Sequence, residues 1–428
     1  MAAPDRPVAT PAQGTWAVQD VRLAGQEAAP AVDVVVAGDS VLAVGRGAAA
    51  DVPAADRVDG RGGLLLPAYI DTHVHLDKVL IRDQLAEHDG TLAGAIGSIH
   101  AAKRGYDVED VRRRARAVIE SSVLTGTTRL RSHVDVDTIG GLVPLEGVLA
   151  AARDCADIAD VQVIAFPQEG ILRDPGAADL MAEAMRSGAT VVGGMPHWER
   201  SEDDQLEHVR LCFDLAVAHD ADVDMHVDET DDGSVRTLAM VVAETERRGW
   251  QGRVTVGHVC ALAAADDEYA DEVVAGCARA GITVVANPVT NLVLQGRGDR
   301  GLVRRGTTRI RELMAAGVPV AFGQDCVQDG FYPFGRGDLL EVAMVSAHTA
   351  HLTTHDEQLA ALAAVTTVPA DVWRLGPAYG VAPGARADLQ LHAAGTWPEV
   401  LRLQDPPTHV WSRGRLVART AVTRELLR

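Results

Sequence analysis

Residues 63–75 read GLLLPAYIDTHVH. The run GLLLPAYID (63–71) is short, apolar and opened by glycines, as expected of a strand buried on both faces. It leads into Asp71-Thr72-His73-Val74-His75. On extended chain, residues two apart project to one side, so His73 and His75 can face a common point. Seven further segments share this character: TTRLRSHVDV (127–136), DVQVIAFP (160–167), ATVVGGMP (189–196), DVDMHVD (222–228), RVTVGHV (253–259), ITVVANP (282–288) and PVAFGQD (319–325). Stretches with helical spacing of apolar and charged residues separate them, among them VEDVRRRARAVIESSVLTG and GSVRTLAMVVAETERRG. Alternating strand and helix imply a parallel sheet, and eight such units imply a closed, TIM-type (β/α)₈ barrel. The structural rival is an open, doubly wound sheet. The count of eight and the lack of G-x-G-x-x-G after the first strand argue against it.

Barrels of this kind carry their chemistry at the C-terminal ends of the strands. Those ends hold His73 and His75 (strand 1), His133 (strand 2), Gln168 (strand 3), His226 and Glu229 (strand 5), His258 (strand 6) and Asp325 (strand 8). A lone histidine is usually a satisfied core residue. Two at H-x-H spacing, joined by His226 and Asp325 at other strand ends, form instead a ligand set of three imidazoles and a carboxylate. Such a set suits one Zn²⁺ or Fe²⁺. An ion of this kind draws the pKa of water toward neutrality and supplies hydroxide.

The remaining polar ends have both ordinary and functional readings. Glu229 follows His226 by three residues and can carry protons between water and a ring nitrogen. Its ordinary reading is a salt-bridged glutamate in the acidic run Asp228-Glu229-Thr230-Asp231-Asp232. His258 can orient the attacking hydroxide, or be a hydrogen-bonded core residue. His133 reads as a support for Asp325 or a neighbouring ligand. Gln168 offers a donor and an acceptor, matching the N–H/C=O edge of a pyrimidone, or else bonds the backbone of its own loop.

The 428 residues carry a net charge of −20, which disfavours nucleic acid and anionic membrane as partners. Five dispersed cysteines with no C-x-x-C pair indicate free thiols in a reducing compartment. No stretch resembles a signal peptide or a membrane span, so a cytoplasmic location is expected. Only Lys78 and Lys103 are lysines, which reads as coding bias rather than chemistry. Short strands with glycine turns occupy both ends of the chain. The expected organisation is therefore a disordered tail (1–15), a composite β-sandwich (16–63 with 376–420) and a catalytic barrel (64–375).

The ordered segments LPAYIDTHVHLDK, RSHVDVD, VQVIAFPQEGIL, DMHVDETDD, VTVGHV, VVANPVTNLVLQGR, RRGTTRIRELMAAGV and FGQDCVQDGFYPFGRGDLLEV resemble the cytosine deaminase branch of the amidohydrolase superfamily. The similarity runs from about residue 16 to about residue 420. It implies a distorted barrel with a flanking β-sandwich, a homo-oligomeric assembly and a small heterocyclic substrate. It also implies one metal, iron or zinc, on His73, His75, His226 and Asp325, since strand 4 lacks the lysine of two-metal relatives. Glu229 would be the proton shuttle, His258 the hydroxide partner and Gln168 the reader of the substrate's amide edge. Leu92 and Phe166 would line the pocket.

Two departures bear on the substrate. Gln324-Asp325-Cys326 stands where cytosine deaminases commonly have His-Asp-Asp, and Phe331 where an aromatic, usually Trp, covers the ring. Cys326 in place of a carboxylate leaves more room at the ring's C5 edge. The activity implied is hydrolytic deamination of cytosine or a close analogue. The alternatives within the branch are 5-methylcytosine, isocytosine, creatinine and an N-alkyl triazine. A non-catalytic barrel scaffold would require broken ligand positions, and none is broken.

Overall fold

The apolar run that opens the barrel makes two strands rather than one. Leu64–Pro67 pairs antiparallel with Leu389–His392, near the C-terminus. After Ala68, Tyr69–Val74 pairs parallel with Thr127–Asp135. The expected single strand over 63–71 is corrected accordingly: the chain passes from one sheet to another at Ala68, and the barrel begins at Tyr69. The structure is a computed structural model describing residues 14–85, 92–301 and 304–427. Most of the expected tail over 1–15 lies outside these residues, while Thr15 already opens a strand.

The barrel strands are β1 (Tyr69–Val74), β2 (Thr127–Asp135), β3 (Asp160–Phe166), β4 (Val191–Gly194), β5 (Asp222–Val227), β6 (Val254–His258), β7 (Thr283–Ala286) and β8 (Val320–Phe322). Each pairs parallel with the next in sequence. The circle closes just beyond the short β8. There the N–H of Asp325 donates to the carbonyl of His73 (2.6 Å), and the N–H of His75 donates to the carbonyl of Asp325 (3.1 Å).

Helices cover the barrel by turning one apolar stripe inward. In Val108–Leu124 the stripe is Val111, Ala115, Val118, Ile119 and Val123. Asp107 caps its start, accepting from the N–H groups of Glu109 and Asp110.

A second, mixed eight-stranded sheet draws on both chain ends. The two contributions meet where Trp16 stacks on Trp411, with ring centroids 5.1 Å apart. A buried pair, Arg129 with Asp388 at 2.8 Å, joins this sheet to the start of β2. Residues 376–420 are not sheet throughout. Helix Trp397–Leu403 turns Trp397 into the barrel's core, its indole N–H donating to the carbonyl of Gln358 (2.7 Å). All five cysteines are buried and unpaired. Among the described residues no helix is long and apolar enough to cross a membrane.

Candidate metal centre and pocket

The strand ends bring His73, His75, His226 and Asp325 together in the buried mouth of the barrel. One ligand atom from each lies within 4.8 Å of the others. Asp325 Oδ1 stands 3.3 Å from His75 Nε2 and 3.6 Å from His73 Nε2, and His75 Nε2 stands 3.0 Å from His226 Nε2. Asp325 can sit there because its backbone adopts φ 63°, turning the chain sharply after β8. That left-handed conformation costs a non-glycine residue free energy and is typically kept at functional positions.

Room for the imidazoles comes from glycine. A Cβ on Gly257 of β6 would lie 2.6 Å from His73 Cε1, and one on Gly323 would lie 2.7 Å from His73 Cβ.

The electrostatics fit a cation. Burial pushes the imidazolium forms down: His75 to about 4, His226 well below its ordinary value. Burial alone would raise Asp325, yet hydrogen bonds from His73 and His75 hold its carboxyl well below the usual range. His75 and His226 therefore offer neutral imidazoles beside a charged carboxylate. Nδ1 of His73, of His75 and of His226 is buried without a hydrogen-bond partner. Buried polar atoms left this way need an unseen partner, and a metal ion on this donor set is a suitable one.

Beside these four side chains, Glu229 Oε1 lies 3.1 Å from His258 Nδ1. Asn291 bridges the two: its Nδ2 donates to Glu229 (3.0 Å) and its Oδ1 lies 3.2 Å from His258 Nδ1. Burial, followed by the charge of Asp325, raises Glu229 well above the ordinary carboxyl value, and burial lowers His258 to about 3. His258 and Val259 both adopt positive φ, 70° and 52°, at the end of β6.

A cavity of about 210 Å³ opens onto this cluster. Its wall includes His75, His226, Glu229, Asp325, Cys326 and Phe331, with Gln168 and Lys78 also bordering it. Phe331 also packs against buried Ile99. Helix Leu92–Lys103 contributes Ile96, Ile99 and His100. The side chain of Leu92, expected at the pocket wall, lies outside the described residues.

Phe166 is corrected. It is fully buried and does not border the cavity; its ring stacks beneath His226 with centroids 4.2 Å apart. Phe166 is the last residue of β3 and packs behind the imidazoles, whereas Gln168 lies beyond the strand end, after Pro167, and reaches the cavity. His133 is corrected in part. It does not support Asp325; its ring lies 4.2 Å from that of His73, and its Nε2 lies 3.5 Å from Asp224.

The sequence reading missed Asn291, Asn287, Trp198 and the placement of Lys78 in the pocket. The signal for the asparagines was the Asn-Pro closing strand 7. Asn287 precedes helix Pro288–Leu294, and Asn291 lies one turn on, so both face His258.

The family model "Amidohydrolase family" matches residues 80–418. This chain belongs to the amidohydrolase family. Among curated relatives, this amidohydrolase is 33% identical to a pterin deaminase of Rhizobium rhizogenes over 367 residues, 85% of this chain and 83% of the relative. It is 27% identical to an N-isopropylammelide isopropyl amidohydrolase of a Pseudomonas species over 366 residues, 83% of this chain and 86% of the relative. Among solved structures it superposes on 5-methylcytosine deaminase from Klebsiella pneumoniae, liganded with 5-fluorocytosine, with a TM-score of 0.91 and 33% identity. That match covers 96% of this chain and 99% of the other. The amidohydrolase is thus a metal-dependent hydrolase acting on C–N bonds, and its relatives include deaminases of heterocycles.

Proposed function

We propose that this amidohydrolase deaminates a ring holding the unit H₂N–C=N–C=O, with cytosine or a 5-substituted cytosine as the type substrate. Water adds at the amino-bearing carbon, the C–NH₂ bond breaks, and the products are a ring carbonyl and ammonia: cytosine and water give uracil and ammonia. The observation that carries this reading is the Glu229–His258 pair at 3.1 Å, set beside Asp325 and open to the cavity. His73, His75, His226 and Asp325 would hold the metal, and three imidazoles with one carboxylate suit Zn²⁺ or Fe²⁺. Bound there, the ion supplies hydroxide near neutral pH by lowering the pKa of water.

The chain's own groups move the protons. Glu229 accepts a proton from the attacking water, passes it to the ring nitrogen and returns one to the departing amine. His258, kept neutral by burial, orients the oxygen nucleophile. Gln168 and Lys78 face the ring from across the cavity. Cys326 leaves space at C5, which supports a substituted ring, and Phe331 covers the face.

A second reading has one observation in its favour. The cavity reaches past the metal cluster to Ile96, His100 and Trp198, more room than one six-membered ring needs. Pterins carry the same H₂N–C=N–C=O unit as isocytosine, fused to a second ring, and would use that space.

The test is release by metal-loaded protein of ammonia from cytosine, 5-methylcytosine, isocytosine, pterin and creatinine, and of alkylamine from an N-alkyl triazine. Release confined to rings with the acylamidine unit is expected. Turnover of the N-alkyl triazine alone, or of none of these rings, would overturn the proposal.

A further inference from the structure

Of 40 lysine and arginine residues, only Lys78 and Lys103 are lysines. Coding bias accounts for the abundance of arginine but not for where the two exceptions stand. Both are fully buried, and both pair with the same carboxylate. Asp135 Oδ1 lies 2.6 Å from Lys78 Nζ, and its Oδ2 lies 2.6 Å from Lys103 Nζ. Lys103 also holds Asp137 at 2.7 Å. With both of its oxygens occupied, Asp135 fixes where the Lys78 ammonium sits.

From that position Lys78 Nζ donates to Gln168 Oε1 at 2.8 Å. An ammonium group can only donate, so the amide of Gln168 can meet it only with its oxygen. The amide's NH₂ is thereby turned the other way, 3.4 Å from Met195 Sδ, a weak acceptor that also borders the cavity. An arginine could not substitute, because its planar fork cannot place a single point charge between Asp135 and Gln168.

We propose that Lys78 is a specificity-determining positioning residue, locking Gln168 so that this edge of the pocket presents N–H donors and selects rings with an oxo group there. This deepens, and rests on, the reading of the cavity as a heterocycle site. It refines the sequence expectation that the amide serves as both donor and acceptor. The carbonyl of the acylamidine unit is the group selected, and a ring with an amino group or hydrogen in its place is discriminated against. Contact with the ammonium also polarises the amide and strengthens its N–H as a donor.

The experiment uses two ligands that lack an amino group and so cannot be deaminated: uracil, and pyrimidin-4-one, which lacks the second carbonyl. Their affinities for metal-loaded protein are measured by calorimetry. The unaltered protein should bind uracil about tenfold more tightly, the scale of one hydrogen bond. In Lys78→Met the amide is free to turn, and the ratio should fall toward one at unchanged metal content. Asp135 keeps its partner Lys103 in that variant. Gln168→Glu keeps the pairing with Lys78 but has no N–H, so it should lose the preference too; it also serves if Lys78→Met does not fold. An equal affinity of the two ligands, no binding of either, or a preference that survives in either folded variant would overturn the proposal. Absence of ammonia release from any acylamidine ring, with the binding ratios as expected, would sink the deaminase reading and leave the donor edge standing.

Discussion

Glu229 and His258 stand 3.1 Å apart, and burial drives both toward their neutral forms: the carboxyl well up, the imidazole down to about 3. A carboxyl raised in this way holds a proton at a pH where ordinary carboxylates have lost theirs. It can release that proton to a ring nitrogen at little cost, which is what a shuttle requires. Glu229→Gln keeps the shape and removes this capacity. Turnover should drop about 10²–10⁴-fold while metal content holds. Steady-state kinetics alongside metal analysis checks it, and unchanged turnover would remove Glu229 from the mechanism.

Asn291 tunes that carboxyl. Its N–H favours the charged form of Glu229. Asn291→Leu takes this support away, so the Glu229 pKa should rise further. The carboxylate that accepts water's proton then forms only at higher pH. The acidic limb of the kcat profile should move upward, and kcat at neutral pH should fall about tenfold. A profile that stays in place would show that Asn291 does not act through Glu229.

Cys326 lines the cavity beside Asp325, with its sulfur 3.6 Å from Asp325 Oδ1. Cys326→Asp restores a carboxylate at the proposed C5 edge and should disfavour a methyl group there. The kcat/KM ratio of 5-methylcytosine to cytosine should fall by about tenfold. A constant ratio would place Cys326 away from that edge.

Gly257 makes room for the imidazole of His73. A methyl group there would lie 2.6 Å from His73 Cε1, so Gly257→Ala must move the imidazole or the strand. Overpacking of this kind costs about 1–3 kcal/mol. Metal occupancy and melting temperature should both fall. Full occupancy by elemental analysis would mean that His73 tolerates displacement.

The convergence of His73, His75, His226 and Asp325 was legible because parallel strands deliver their ends to one rim. Glu229, His258 and Gln168 followed by the same rule. The break at Ala68 was not legible: an apolar run carries no mark of which sheet each half will join. Phe166 was misplaced because β3 ends on it: its ring packs behind the imidazoles, and the chain leaves the strand at Pro167 before Gln168 reaches the cavity. The lock of Lys78 on Gln168 joins positions 90 residues apart, and no local pattern announces such a contact. Asn291 lies on a short helix after β7, an element the strand-end reading passed over.

Hydrolysis by this chain is proposed to depend on an ion held by His73, His75, His226 and Asp325. The most direct measurement strips the protein with a chelator, confirms the loss by elemental analysis, and follows ammonia release from its best ring substrate as Fe²⁺ or Zn²⁺ is restored. Activity should vanish with the metal and return in proportion to occupancy, levelling off near one ion per chain. Undiminished turnover by protein shown to be metal-free would contradict the account.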